Sequence, residues 1–264
     1  MFNRTKLLPH NNHRTLTPHF STITPASSLS TDAIRHTALF KNNPIDYLKH
    51  HIIDTSQVIG TNDKTGKCQL LNEIIKKGYF ALVPDNHSEN VKLMYVNVAN
   101  SQDEKNVIYA HWIPYCSGDV APGYTDIPKY PLSAAQADTA VYVFTPGMNG
   151  CSLELREHPQ NSDYFRVFHN QHPTRQTQKD YINTLSGAKI GSFEVTDYFQ
   201  HTQQCLMPLA FNFMHHDNRT GVWVFISQAQ AICPVNNTLS KMPYGEVKNK
   251  EAIDSTALLP SSQR

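Results

Sequence analysis

Alternation of apolar and polar residues predicts short strands along most of the chain between residues 79 and 232. Runs of this kind, separated by turn residues, are typical of β-strands. Helical spacing occurs at 44–57, and again at 68–78, where an apolar stripe ends at Gly78. The nine strand candidates are 79–84, 91–99, 106–115, 140–146, 151–157, 164–170, 192–199, 209–216 and 221–232. The pattern predicts an α+β fold, with a mixed or antiparallel β-sandwich core and flanking helices.

Composition divides the chain into three parts. Residues 1–66 are predicted to form an N-terminal extension, with a polar, basic and partly disordered leader followed by a short helix. The start of the chain has no apolar stretch of the kind that a Sec signal peptide needs. Residues 67–240 are predicted to form the main folded domain, and residues 241–264 a loosely ordered tail.

Charge and cysteine content narrow the class of protein. The formal net charge is +1, and 39% of the 264 residues are hydrophobic, so a strong nucleic-acid-binding field and a disordered chain are both disfavoured. No apolar run approaches the length of a membrane span. Five cysteines stand singly, without a C-x-x-C pair, which disfavours a disulfide scaffold or a structural zinc site. The usual nucleotide-binding and zinc-protease motifs are also missing from the sequence.

One segment, 141–173, combines residues that can carry chemistry. A strand candidate is followed by a turn with two glycines, and the second of them directly precedes Cys151. Glycine allows a tight turn and a close approach by substrate, and successive backbone N–H groups in such a turn can hold an oxyanion. We therefore predict that Cys151 lies at the mouth of an anion-binding turn built from Gly147, Asn149 and Gly150.

The strand candidates 151–157 and 164–170 predict a β-hairpin. If its turn is centred near residue 160, Cys151 lies directly opposite His169. Opposed residues have Cβ atoms about 4.5–5.5 Å apart, which suits a thiol–imidazole pair. A register one residue out would turn Arg166 into the core. A structural interpretation stays open, in which Cys151 is a small core residue and His169 is bonded to a backbone carbonyl.

At these residues the sequence resembles the Cys-His glutamine deamidase toxins, related to the Burkholderia lethal factor and the catalytic domain of cytotoxic necrotizing factors. Their Leu-Ser-Gly-Cys turn corresponds to Met-Asn-Gly-Cys at 148–151, and a strand-borne Thr six residues before the Cys corresponds to Thr145. A Trp-x-Pro-aromatic stretch matches 112–115, and the similarity spans about residues 68–235. Asn149 in place of Ser, and a longer spacing from Cys to His, are the departures.

This resemblance implies an enzyme in which Cys151 is the nucleophile, His169 the base, and Thr145 a residue that orients the imidazole or the tetrahedral centre. The substrate would be a glutamine side chain, and neither a metal nor an organic cofactor is required. A thiol protease or a transglutaminase would use the same nucleophile, and a non-enzymatic binding module with an inert thiol is the other alternative.

The resemblance also implies a bacterial toxin or effector. Such a protein is secreted or injected, and it acts in the host cytoplasm on a protein that carries the target glutamine. A translation-initiation helicase is the favoured target class, and a Rho-type GTPase is next. We expect a monomer with neither a nucleic-acid nor a membrane partner.

Overall fold

The computed structural model describes residues 24–59, 76–115, 121–131, 140–198, 206–233, 235–236, 238–241 and 247–253. The leader expected at the start of the chain, the loop before residue 68 and the body of the helix expected at 68–78 lie outside the described residues. The expected end of that helix, Gly78, lies in a strand instead.

Strands make up most of the described chain. In sequence order they are β1 (Thr24–Pro25), β2 (Ile52–Asp54), β3 (Lys77–Pro84), β4 (Asn90–Asn97), β5 (Ile108–Trp112), β6 (Gly123–Pro128), β7 (Tyr142–Phe144), β8 (Ser152–Glu157), β9 (Tyr164–Asn170), β10 (Lys189–Phe193), β11 (Met207–Asp217), β12 (Val222–Cys233), β13 (Thr238–Lys241) and β14 (Val247–Glu251). The helices are α1 (Thr31–Asn42), α2 (Pro44–His50), α3 (Ser56–Ile59), α4 (Ser101–Lys105), α5 (Gln176–Leu185) and α6 (Val195–Tyr198).

The described strands form two sheets. The larger has ten of them, in the order β1-β4-β3-β5-β7-β11-β12-β13, with β2 also paired to β4 and β14 to β12. It is mixed, because β1 and β2 run parallel to β4, and β5 runs parallel to β7. The smaller sheet is antiparallel and has the order β10-β8-β9-β6. The predicted α+β sandwich class is confirmed.

Two apolar cores explain how the layers stack. Val143 of β7 belongs to a core shared with Leu153 and Val167 of the small sheet, whereas the next residue, Phe144, belongs to a core on the opposite face of the large sheet. Neighbouring residues of a strand point to opposite faces, so β7 contributes to both cores. Phe40 of α1 packs against Phe144 in the second core, with ring centroids 6.1 Å apart. The large sheet therefore lies between a helical layer and the small sheet.

The N-terminal part of the described chain belongs to this body. Helix α1 begins after Ser30, whose side chain accepts a hydrogen bond from the Ala33 amide, and it buries the fully enclosed Phe40. The helix expected at 44–57 ends at His50. The residues after it form β2, which pairs with β4. The part of the expected N-terminal extension that the structure describes therefore packs on the large sheet.

The expected tail boundary, between residues 240 and 241, does not mark a structural break. Strand β14 pairs with Val224–Gln228 in the middle of β12 and forms an edge of the large sheet. Its sequence is polar and carries two lysines, which is common in strands at a sheet edge. The sequence of β14 therefore shows no alternation of apolar and polar residues that would predict a strand, although its backbone pairs with the large sheet.

Candidate functional site

A tight turn carries Cys151 from the large sheet to the small one. After β7, backbone hydrogen bonds of 2.8 and 2.9 Å join Met148 to Ala210 of β11 in both directions. Gly150 then takes a φ of +86°, with open space where a Cβ would stand. This left-handed conformation favours glycine, and it lets the chain reverse direction directly before Cys151.

Strands β8 and β9 form the expected hairpin in a register that differs by two residues. Leu153, rather than Cys151, pairs with His169. A shift of two residues leaves every side chain on its face, so Cys151 and His169 share the face that packs between the sheets, and Arg166 stays on the other face. The predicted direct opposition of Cys151 and His169 is wrong. The two residues are diagonal neighbours, whose Cβ atoms are typically about 7–8 Å apart.

Thr145 holds His169 from the large sheet. It is fully buried, and it lies two residues beyond Val143, which faces the small sheet. Its hydroxyl donates to the Ile113 carbonyl at 3.1 Å and lies 2.7 Å from Nδ1 of His169. A hydroxyl has one proton to donate, so both contacts are hydrogen bonds at once only if Thr145 donates to Ile113 and the Nδ1–H of His169 donates to Thr145. From this arrangement we infer the Nδ1–H tautomer, with the imidazole lone pair on Nε2.

The Nε2 atom of His169 is buried and has no hydrogen-bond partner among the described residues. The Tyr115 ring packs against the imidazole, with centroids 5.1 Å apart and planes at 55°. Tyr115 follows Pro114, whose carbonyl lies so close to Gly123 of β6 that any Cβ there would collide with it. That close approach fixes the chain just before Tyr115, on one side of the imidazole.

Burial keeps the thiol and the imidazole neutral. Desolvation raises the pKa of Cys151 to about 11, although a hydrogen bond from the Asn149 amide acts in the opposite direction. Desolvation also lowers the pKa of His169 to about 3. Both shifts oppose the transfer of a proton from the sulfur to the imidazole in this closed site. The resting state is therefore a neutral thiol beside a neutral imidazole.

One backbone amide of the expected oxyanion turn has a partner within the protein. The Gly147 amide donates to the Thr55 hydroxyl at 3.0 Å. The anion-binding role of Gly147, Asn149 and Gly150 stays a prediction.

Tyr198 is the site residue that the sequence did not indicate. Its hydroxyl donates to the carbonyl of Cys151 at 2.5 Å, from a position 47 residues further along the chain. It lies in α6, within a segment predicted as a strand from its alternating residues. Only the tertiary packing of α6 brings this side chain to the turn, so no local pattern could have identified it.

Two further features of the described residues concern metals and membranes. Within the described ranges, no group of three or more His, Cys, Asp or Glu side chains is placed to hold a metal ion. No helix in the same ranges has the length and apolar character required to cross a bilayer.

A match to a family model places this chain in a protein family. Residues 33–263 match the family model described as the Mcf1 activator-binding domain, and the chain belongs to this family. No curated protein matches the sequence. Among solved structures, the C-terminal domain of CNFy from Yersinia pseudotuberculosis is similar at 7% identity, with a TM-score of 0.36, over 83% of this chain and 98% of that domain. Membership of the deamidase toxins stays a prediction.

Proposed function

We propose that this chain is a toxin-type effector domain that binds a protein partner and deamidates a glutamine side chain on it. One structural observation is the main support for the proposed chemistry. The Thr145 hydroxyl sets the tautomer of His169 and leaves an unpaired Nε2 on the sheet face that bears Cys151. A neutral imidazole with a free lone pair is the form that a general base requires. A protein partner is suggested by the family description, which names an activator-binding domain.

The proposed reaction balances with water alone. Nε2 of His169 takes the thiol proton as the sulfur of Cys151 attacks the carboxamide carbon of the glutamine. The C–N bond then breaks, the imidazolium gives its proton to the leaving nitrogen, and ammonia departs. Water next attacks the thioester while Nε2 accepts its proton. The C–S bond breaks, the imidazolium returns the proton to the sulfur, and a glutamate side chain is left.

Thr145 acts as a positioning residue in this scheme, since it touches the imidazole and not the substrate. The amides of Asn149 and Gly150 are the proposed donors to the oxyanion, and Gly147 shapes the turn while its own amide stays bonded to Thr55. The diagonal placement leaves the ring of His169 to span the distance to the short Cys151 side chain, since cross-strand diagonals lie within reach of aromatic side chains.

The proposal is tested by mass spectrometry of peptides from host-cell extract treated with the purified domain. Wild type should convert one glutamine to glutamate, and Cys151→Ala and His169→Phe should each abolish that conversion. Cys233→Ala is the matched control, because it removes another free thiol that is only partly buried. Conversion that persists in Cys151→Ala would remove this residue from the nucleophile role.

Acyl transfer to an amine is separated from hydrolysis in the same assay. A primary amine is added to the extract, and the masses of the modified peptides are compared. Hydrolysis predicts glutamate in both samples. An amine adduct on the glutamine would instead identify a transglutaminase.

A binding module with an inert thiol is the second candidate function, and the closed site favours it. Cys151 is 6% exposed, and burial shifts the pKa of the thiol upward and that of the imidazole downward, away from an ion pair. For such a module, wild type and Cys151→Ala would give identical peptide masses in the extract. The family description fits this candidate as well as the enzyme.

A further inference from the structure

The end of the turn at Cys151 is held by a contact from α6. The Tyr198 hydroxyl donates to the Cys151 carbonyl at 2.5 Å. A hydroxyl has one proton to donate, and this one is committed to the backbone of the proposed nucleophile. While the contact persists, it holds the backbone of Cys151 against α6.

The aromatic ring of Tyr198 is buried next to the same turn. Tyr198 is 2% exposed, and its ring packs on Phe193 of β10 with centroids 6.0 Å apart. Phe193 in turn stacks on Phe225 of the large sheet at 5.7 Å. Tyr198 and Cys151 belong to one apolar cluster, so α6 contributes to the burial of the thiol.

The outer side of α6 is held by weaker, partly exposed contacts. Asp197 accepts a hydrogen bond from the Glu194 amide at 2.8 Å, and its carboxylate lies 3.2 Å from the Lys250 ammonium. Lys250 also donates to the Ser192 carbonyl, and Lys189 pairs with Glu194 at 2.9 Å. Ion pairs between half-exposed side chains contribute little stability, so these outer contacts oppose a movement of α6 only weakly.

We infer that α6 is an autoinhibitory cover, in which Tyr198 holds the Cys151 carbonyl and shields the thiol until α6 is displaced. This inference rests on the proposed thiol chemistry for its biological meaning, but the cover itself is a property of the fold. Displacement releases the Cys151 carbonyl and admits water to the sulfur. The high thiol pKa caused by burial then falls towards its ordinary range.

Alkylation of Cys151 by iodoacetamide, followed by peptide mapping, tests the cover without any substrate. Tyr198→Phe keeps the ring and removes the hydrogen bond to the Cys151 carbonyl, and we expect it to raise the alkylation rate of Cys151 about tenfold. Tyr142→Phe is the matched control. Tyr142 is also a buried tyrosine, but its hydroxyl donates to the Lys41 carbonyl on the far side of the large sheet, and its loss should leave the rate unchanged.

A second variant weakens a contact on the exposed side of α6. Lys250→Met removes the ion pair to Asp197 and leaves Tyr198 in place, and we expect it to raise the Cys151 rate about two- to fivefold. The alkylation rate of Cys233 in the same samples reports on the fold, because it should stay constant when only α6 moves. If Tyr198→Phe fails to fold, Lys250→Met still decides the question.

The outcomes separate the cover from the proposed enzyme. A Cys151 rate that is unchanged or lower in a folded Tyr198→Phe protein, or unchanged in Lys250→Met, would overturn the cover and make Tyr198 a support for the turn. Faster alkylation without glutamine deamidation in extract would support the cover and reject the enzyme. Deamidation by wild type without faster alkylation in either variant would support the enzyme and reject the cover.

Discussion

Replacing Thr145 with valine probes the contact that sets the tautomer of His169. The substitution keeps the branched shape and removes a hydroxyl that is fully buried. Two polar groups then lose their partner, the Nδ1–H of His169 and the carbonyl of Ile113. A buried polar group left unsatisfied costs about 1–3 kcal/mol, so we expect Thr145→Val to lower the free energy of unfolding by about 2–4 kcal/mol.

Thr125→Val provides the matched control for this prediction. Thr125 is 2% exposed, and its hydroxyl donates only to the Lys76 carbonyl at 3.3 Å, so we expect a loss of about 1 kcal/mol. Urea denaturation measures both variants, and nitrogen NMR of the labelled imidazole reports the tautomer of His169. The wild type should show Nδ1–H, and Thr145→Val should show a mixture. Equal losses in the two variants together with an unchanged tautomer would refute the assignment.

Three further predictions concern pH, the N-terminal helix and the turn. Since the pKa of His169 is about 3 in the fold and 6.5 without it, only the unfolded chain gains this proton as pH falls through that window. The contribution of His169 should lower the free energy of unfolding by about 1.4 kcal/mol for each pH unit in that window. His169→Phe should remove this part of the pH dependence, as measured by chemical denaturation at several pH values. Phe40→Ala should cost about 3–5 kcal/mol in urea, whereas a loss near zero would show that α1 lies outside the cooperative unit. Gly150→Ala should lower the melting temperature through a strain of about 1–2 kcal/mol at its positive φ, and an unchanged melting temperature would contradict that conformation.

Strand positions were largely predictable because most strands alternate between apolar and polar residues. The hairpin of β8 and β9 is an example, since its strand limits agree with the expected runs to within one residue. Strand β6 was missed, because its six residues include glycine and proline and carry Asp126, which binds Arg166 of β9. Helix α1 was missed because His36 and Thr37 lie on its buried face, where the sequence shows polar residues.

The hairpin register shows what alternation cannot determine. A shift of two residues preserves both faces, so the apolar pattern fits either register equally well. The turn decides between them: His158 accepts hydrogen bonds from the Gln160 and Asn161 amides, and Asn161 accepts one from the Asp163 amide. In the observed register Arg156 lies opposite Arg166, a like-charge pair that a sequence argument disfavours. Glu154 and Asp126 neutralise the two arginines from neighbouring positions.

The candidate site was predictable in its residue types and not in its closed state. Thr145, Cys151 and His169 were each expected, and the structure brings Thr145 to the imidazole. The contacts that occupy the turn come from Thr55 and Tyr198, which are distant in the chain. Their hydrogen bonds depend on the packing of the helices against the two sheets, so short-range sequence patterns cannot predict them.

An acyl intermediate on Cys151 is the most direct test of the proposed chemistry. Wild type is mixed with the substrate found in the extract experiment, the reaction is stopped in acid at early times, and the digest is searched for a thioester between Cys151 and the glutamine peptide. We predict that wild type gives this adduct, that hydroxylamine removes it, and that Cys151→Ala gives neither adduct nor deamidation. Deamidation that proceeds with no adduct on Cys151, and at an equal rate in Cys151→Ala, would contradict the account.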